Sequence, residues 1–232
     1  MICVTSDLHG CFKKYIQMLK KINLSRTDTL YILGDVIDRG DDGIKILLDM
    51  MHRPNVIPIL GNHEYMTYKV LSKLNVEITE ENYATHLDVT ALKMYQEWIY
   101  NGGAPTSLAF SKLSRSQKAD VLDYIREFEV FEKVGAGGKD FILLHGGLGN
   151  FAPQKDLYDY TLEEIIWSRC DYKMCYFPDK YLVTGHTPTC YIDKSCDGKI
   201  FLKNNHIAID CGVSMGKNLG CICLDTLEKF YV

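Results

Sequence analysis

Apolar and polar positions alternate along this chain in two different rhythms. Ile2 to Thr5 is a short branched apolar run, which predicts a buried strand. Phe12, Tyr15, Ile16, Leu19 and Ile22 follow at helical spacing. Thr29 to Leu33 predicts a second strand; Ile44, Leu47, Leu48 and Met51 a second amphipathic helix; Val56 to Leu60 a third strand. Strand–helix–strand–helix–strand is the pattern of parallel pairing in an α/β fold.

The rhythm changes over residues 64–127. This stretch is polar, rich in Tyr, Lys and Glu, and poor in β-branched runs. It predicts a helical insertion with Val89, Leu92, Tyr95 and Ile99 on one face. Asn101-Gly102-Gly103 should break it, and a further helix is expected from about Ser116 to Phe128. Strand-like runs then return at Phe141–Leu144, Tyr181–Thr184, Ile207–Ile209 and Cys221–Leu224. Gly135-Ala136-Gly137-Gly138 lies between two strands and lacks the Lys-Ser/Thr of a phosphate loop, so a hairpin turn is expected there. No repeat, low-complexity tract or linker interrupts the 232 residues, which suits one domain, 1–232, carrying a helical lobe at about 64–127.

Composition narrows the class. The chain is 47% hydrophobic and 24% charged, as in globular proteins, and its formal net charge of -4 argues against broad binding to nucleic acid or anionic membranes. The start, Met1-Ile2-Cys3-Val4-Thr5-Ser6-Asp7, has neither the basic segment nor the long apolar region of a secretory leader. No apolar run approaches the roughly 18 residues of a membrane span. Nine cysteines, without a Cys-x-x-Cys pair, read as reduced thiols, and a cytoplasmic location is expected.

Strand-like runs end repeatedly in metal-binding residue types. Ile2–Ser6 leads into Asp7-Leu8-His9-Gly10, and Leu30–Leu33 into Gly34-Asp35-Val36-Ile37-Asp38-Arg39-Gly40. Val56–Leu60 leads into Gly61-Asn62-His63-Glu64, Phe141–Leu144 into His145-Gly146-Gly147, and Tyr181–Thr184 into Gly185-His186-Thr187. Carboxyl ends of parallel strands converge on one edge, where ligands bind. Two Asp, one Asn and three His form a mixed oxygen/nitrogen set that suits manganese, iron or zinc better than magnesium or calcium. Six protein ligands leave one catalytic ion no open position, and they suit two ions sharing a carboxylate. Singly, Asp7 and Asp35 read equally well as turn formers or helix caps, and His145 or His186 as core histidines. The ordered set changes that balance.

In order, these blocks resemble those of the phosphoprotein-phosphatase branch of the calcineurin-like metallophosphoesterases, nearest to the phage-lambda type and bacterial serine/threonine phosphatases. The similarity continues through Trp98-Ile99-Tyr100-Asn101-Gly102-Gly103, Trp167-Ser168-Arg169 and Ile209-Asp210-Cys211-Gly212, so it spans nearly the whole chain. Ser6 departs from the usual glycine, which bears on the local backbone. The resemblance implies a β-sandwich flanked by helices. It implies that Asp7, His9 and Asp35 hold one divalent ion, most simply manganese, and that Asp35, Asn62, His145 and His186 hold a second. It implies a bridging hydroxide as nucleophile. His63 would be the general acid, Asp38 would orient it, and Arg39 and Arg169 would grip phosphate oxygens. His63 as a ligand, Asp38 as a partner of Arg39 alone, and Arg39 in a surface ion pair are the competing readings. Glu64 reads as structural, and His52, His86 and His206 as ordinary. The implied activity is hydrolysis of phosphoserine and phosphothreonine in proteins, or of other phosphoesters. A symmetrical dinucleoside polyphosphate hydrolase shares most of these blocks and would need a site for a base. A non-catalytic scaffold would have lost ligands, and all six are present here.

Overall fold

The computed structural model describes residues 1–77, 79, 82 and 88–232; His86 lies outside them. The predicted alternation appears as β1 (Ile2–Thr5), α1 (Phe12–Lys21), β2 (Thr29–Leu33), α2 (Gly43–Met50) and β3 (Val56–Ile59). The helices α3 (Asn62–Leu74), α4 (Val89–Trp98), α5 (Ala104–Ser111) and α6 (Arg115–Arg126) follow. After them come β4 (Phe131–Ala136), β5 (Lys139–Leu144), α7 (Leu162–Ile166), β6 (Tyr181–Thr184) and α8 (Thr189–Ile192). The chain closes with β7 (Phe201–Lys203), β8 (His206–Ala208), β9 (Gly220–Cys223) and β10 (Lys229–Tyr231).

The strands form two five-stranded sheets, ordered β10-β9-β1-β2-β3 and β4-β5-β6-β8-β7. β1, β2 and β3 pair in parallel, as do β5, β6 and β8. Side chains alternate across each strand, which sorts the core into three layers. Val4, Leu33 and Ile59 face Phe141, Leu143, Val183 and Ile207 across the space between the sheets. Cys3, Leu30, Ile32 and Val56 point outward, against Tyr15, Met18 and Leu47 of α1 and α2. Ile142, Leu144 and Leu182 point outward from the other sheet, against Leu157, Ile165 and Ile166. Strands buried on both faces read as continuous apolar runs, which is why these runs were legible. The result is a mixed α/β fold, two sheets flanked by helices.

Gly137 and Gly138 form the two-residue turn between β4 and β5, both at positive φ (54° and 73°), as a tight hairpin requires. All nine cysteines are free thiols. No helix among the described residues is long and apolar enough to cross a membrane.

The expected inward face of α4 is corrected. Val89 and Leu92 are 69% and 52% exposed, while Ala91 and Trp98 are buried, with Tyr95 and Ile99 only partly so. The rotation follows from Trp98, whose indole turns toward Asp38. The chain also re-enters a helix, α5, straight after Gly102-Gly103, with Pro105 in its first turn. Proline there is compatible with a helix start, because its missing N–H falls where no intrahelical partner exists.

Candidate active site

The carboxyl ends of the parallel strands in both sheets open onto one edge. Asp7 and His9 follow β1, Asp35 follows β2, Asn62 and His63 open α3 just after β3, His145 follows β5 and His186 follows β6. All seven are buried except His186, which is half-buried. Bringing these short loops together demands unusual backbone. Asp7, His9, Asp35, Asp38, Arg39 and His186 all have φ between 41° and 66°. A non-glycine residue in the left-handed region costs about 1–3 kcal/mol, so such residues persist only where the surroundings fix them.

Glu64 is one fixture. Its buried carboxylate accepts the amides of Asp35, Val36 and Ile37 at 2.8, 2.8 and 3.3 Å, and of Gly61 at 3.2 Å. This is the structural role expected of it. Glycines permit the close approach: a Cβ on Gly34 would lie 2.5 Å from Gly61 Cα. The hydroxyl of Ser6 donates to Asp7 at 2.5 Å, so the residue that departs from the usual glycine supports a carboxylate of the site.

The imidazoles are oriented through their second nitrogens. His145 Nδ1 donates to the Leu33 carbonyl at 2.6 Å, and His9 Nδ1 to that of Ile37 at 3.0 Å. Each therefore presents an Nε2 lone pair to the pocket. His145 Nε2 lies 2.9 Å from Asn62 Oδ1 and 3.3 Å from Asp35 Oδ1, and His186 Nδ1 lies 3.0 Å from the same Asn62 oxygen. His9 Nε2 and His63 Nε2 face the other Asp35 oxygen at 3.6 and 3.8 Å. Two groups of potential ligand atoms thus share Asp35: His9, Asp35 and His63 on one side, Asp35, His145 and His186 on the other.

A cation fits this donor set. At the His145–Asp35–Asn62 contact three acceptor atoms converge, and the His145 tautomer leaves no proton between them. Burial pushes the Asp35 carboxyl well above its usual range, and the Asp7 charge adds to it; burial, then the Asp210 charge, does the same to Asp7. Burial, then Arg39, holds His9 well below the usual histidine range; burial, then His186, does so for His145. Burial, then Arg169, pulls His186 to about 4. A bound cation inverts this logic, favouring ionised carboxylates and neutral imidazoles. Asp7 turns its carboxylate to the His186 amide at 3.0 Å and stands electrostatically beside Asp35.

Beside the acceptors lies a donor dyad. His63 Nδ1 donates to Asp38 Oδ2 at 2.7 Å. Arg39 donates to His9 Nε2 at 2.8 Å and to His63 Nε2 at 3.2 Å. His9 Nε2 has one lone pair, so the Arg39 contact and a cation at His9 are alternatives. Arg169 donates to Thr187 Oγ1 at 3.0 Å, next to His186.

Four supports lay outside the sequence reading. Trp98 Nε1 donates to Asp38 Oδ2 at 2.9 Å, and Thr106 Oγ1 accepts the Asp38 amide at 2.9 Å. The Gly102 carbonyl accepts the Arg39 amide at 2.8 Å. Asp210, buried and raised to about 6 by that burial, sits close enough to Asp7 to perturb it. Trp98, Gly102 and Asp210 were inside sequence blocks already singled out; that membership was the available signal.

The sequence profile described as calcineurin-like phosphoesterase matches residues 1–207. Serine/threonine-protein phosphatase 2 of Salmonella typhimurium is 26% identical over 173 residues, which are 72% of this chain and 67% of that one. A symmetrical bis(5'-nucleosyl)-tetraphosphatase of Wigglesworthia glossinidia brevipalpis is 35% identical over 96 residues, 40% of this chain; the match takes in 35% of that protein. Among solved structures, a putative diadenosine tetraphosphatase superposes with a TM-score of 0.69 at 17% identity, covering 100% of this chain and 92% of its own. A cold-active protein tyrosine phosphatase superposes at 0.55 with 15% identity, covering 99% and 78%. At these identities the structures speak for the fold.

Proposed function

The chain belongs to the calcineurin-like phosphoesterase family, and from that premise we propose that it hydrolyses phosphate monoesters, with phosphoserine and phosphothreonine in proteins as its substrates. One observation carries the choice: the buried His63–Asp38 pair, with Asp38 held by Trp98, beside the shared carboxylate. A serine or threonine alkoxide is a poor leaving group and needs a proton as it departs. As an imidazolium, with its Nδ1 proton anchored on Asp38, His63 would donate its Nε2 proton to that oxygen, and the Arg39 contact at Nε2 would give way. A nucleoside diphosphate leaving group is far less basic and has less use for a dedicated acid.

In this reading Asp7, His9 and Asp35 would hold one divalent ion, and Asp35, Asn62, His145 and His186 a second. Manganese fits the oxygen/nitrogen set best, with iron or zinc as alternatives. When bound, two such ions lower the pKa of water and stabilise the charge spread over the phosphoryl oxygens. The protein's own part is to aim the acceptors and fix the imidazole tautomers. Arg39 and Arg169 supply planar forks for the remaining phosphate oxygens.

Symmetrical cleavage of dinucleoside tetraphosphates is the second reading, favoured by the 35% identity to the Wigglesworthia tetraphosphatase. Parallel turnover of phosphoserine peptides and diadenosine tetraphosphate, with and without a chelator and with manganese restored, separates the two. Efficient cleavage of the dinucleotide beside inert phosphopeptides would overturn the first reading. Undiminished turnover after exhaustive chelation would overturn the two-ion assignment.

A further inference from the structure

The two arginines that face the ligand cluster are held differently. Arg39 is tied at several points: its amide donates to the Gly102 carbonyl, and its guanidinium to His9, His63 and Ser214. Arg169 is an exposed side chain, and among the described residues it pairs with no carboxylate. Its one side-chain hydrogen bond there runs from Nη1 to Thr187 Oγ1, at 3.0 Å. It nonetheless stands electrostatically beside His186 and Asp210. A long side chain without an ion pair has many rotamers open to it, so the one that faces the cluster needs a cause.

Thr187 is built to be that cause. It is buried, and its amide donates to the Gly185 carbonyl at 2.6 Å, closing a tight turn about His186, whose φ is 62°. Two residues on, the Thr189 amide donates to the Asp210 carbonyl at 2.9 Å. The turn is pinned on both sides of Thr187, and a β-branched side chain on fixed backbone has little freedom at χ1.

We propose that Thr187 is a positioning residue of the phosphate site: its hydroxyl holds Nη1 of Arg169 and leaves the Nε–Nη2 edge of the guanidinium to the phosphate of a monoester. The inference rests on the phosphoesterase reading above, with Arg169 as a phosphate ligand. Nε and Nη2 have no partner among the described residues, and two parallel N–H groups match two phosphate oxygens. The chemistry of the anchor matters as much as its place. A carboxylate there would neutralise the guanidinium and compete with the substrate. A hydroxyl holds it by a lone pair and leaves its charge for the anion.

The test is Thr187→Val and Thr187→Ser, each alone and combined with Arg169→Ala, read as inhibition of p-nitrophenyl phosphate turnover by inorganic phosphate in the manganese-loaded protein. Thr187→Val keeps the shape of the side chain and loses the hydroxyl. It should raise the inhibition constant about three- to tenfold, the scale of one hydrogen bond. KM should rise by a similar factor while kcat holds, as for a contact made alike in ground and transition states. Thr187→Ser should return both to near their parent values. In the Arg169→Ala background Thr187→Val should change nothing further, because the hydroxyl acts only through the guanidinium. Thr187→Ala takes the place of the valine variant if melting curves show that one unfolded. An unchanged inhibition constant in Thr187→Val beside a weakened one in Arg169→Ala would overturn the proposal and leave Arg169 on the phosphate. Equal losses in both backgrounds would mark Thr187 as packing and overturn it too, as would a serine variant no better than valine. An Arg169→Ala enzyme inhibited as strongly as its parent would remove Arg169 and Thr187 together from the phosphate site. A protein that turns over no phosphate monoester would sink the phosphoesterase reading itself, and this proposal with it.

Discussion

Trp98→Phe tests whether the helical lobe takes part in the chemistry. Asp38 is fully buried, its Oδ2 takes two donors, His63 Nδ1 at 2.7 Å and Trp98 Nε1 at 2.9 Å, and its Oδ1 has no hydrogen-bond partner among the described residues. Phenylalanine removes one of the two donors. A hydrogen bond to a charged group contributes about 1.5–3 kcal/mol, and a buried carboxylate has no water to replace it. If all of that loss falls on the geometry of His63, it corresponds to roughly 10–150-fold in rate at about 1.4 kcal/mol per tenfold. The expected result is a fall of that order in kcat on phosphoserine peptides. p-Nitrophenyl phosphate, whose leaving group needs little protonation, should lose no more than about threefold. Steady-state kinetics on both substrates, with melting curves and metal content on the same preparation, make the measurement. A loss of stability with equal rate losses on the two substrates would show that Trp98 is packing and nothing more. Unchanged kinetics on phosphoserine would remove the dyad's support from the mechanism.

Other outcomes follow from the same geometry. Asp35→Asn takes the charge from the carboxylate common to both ligand groups, so the purified variant should retain at most one tightly held ion by elemental analysis; two would disprove the bridge. Arg39→Ala and Arg169→Ala should each weaken product inhibition by inorganic phosphate by roughly tenfold, the scale of a charge-assisted bond, and unaltered inhibition constants in both would exclude them. His206, buried with Nδ1 unpartnered among the described residues, is pulled to about 4 by that burial. Since its unfolded value is near 6.5, the unfolded chain takes the proton first as pH falls, so stability is lost from about pH 6.5 down to 4. The loss approaches ~3 kcal/mol at about 1.36 kcal/mol per pKa unit. The gap between denaturant midpoints at pH 7 and 4.5 should narrow in His206→Gln, with the remainder carried by His9, His145 and His186, and parallel pH slopes for the two proteins would refute this.

What could be read from the sequence divides along physical lines. Parallel strands buried on both faces announce themselves as apolar runs, and their carboxyl ends must converge, so the loops at Asp7, Asp35, Asn62, His145 and His186 were traceable without coordinates. Contacts made across the chain were not. Trp98 meets Asp38 across 60 residues and Thr106 meets it across 68, and nothing in local spacing encodes either. The same blindness explains α4, whose inward face is chosen by the Trp98 indole and not by the most hydrophobic stripe. α5 was missed because Gly102-Gly103 reads as an end, when Gly102 at φ 103° only bends the chain before it resumes.

The segment from Leu33 to Ile37 shows how a strained site is held without rigid packing alone. Its five consecutive carbonyls all point at groups that carry the site. Leu33 accepts from His145 Nδ1, Gly34 from the Asp7 amide, Asp35 from the His9 amide, Val36 from the Gly10 amide and Ile37 from His9 Nδ1. Its amides at 35, 36 and 37 all end on Glu64, one residue past His63. One strand end therefore sets the tautomers of two imidazoles, the placement of two neighbouring loops and the approach of α3. This is enough bonding to offset left-handed backbone at Asp7, His9 and Asp35, about 1–3 kcal/mol each. It also explains why β2 must sit between β1 and β3: only a central strand has a neighbour's loop on each side to receive what its end offers. The acceptors are thus aimed by backbone, not by the side chains they belong to.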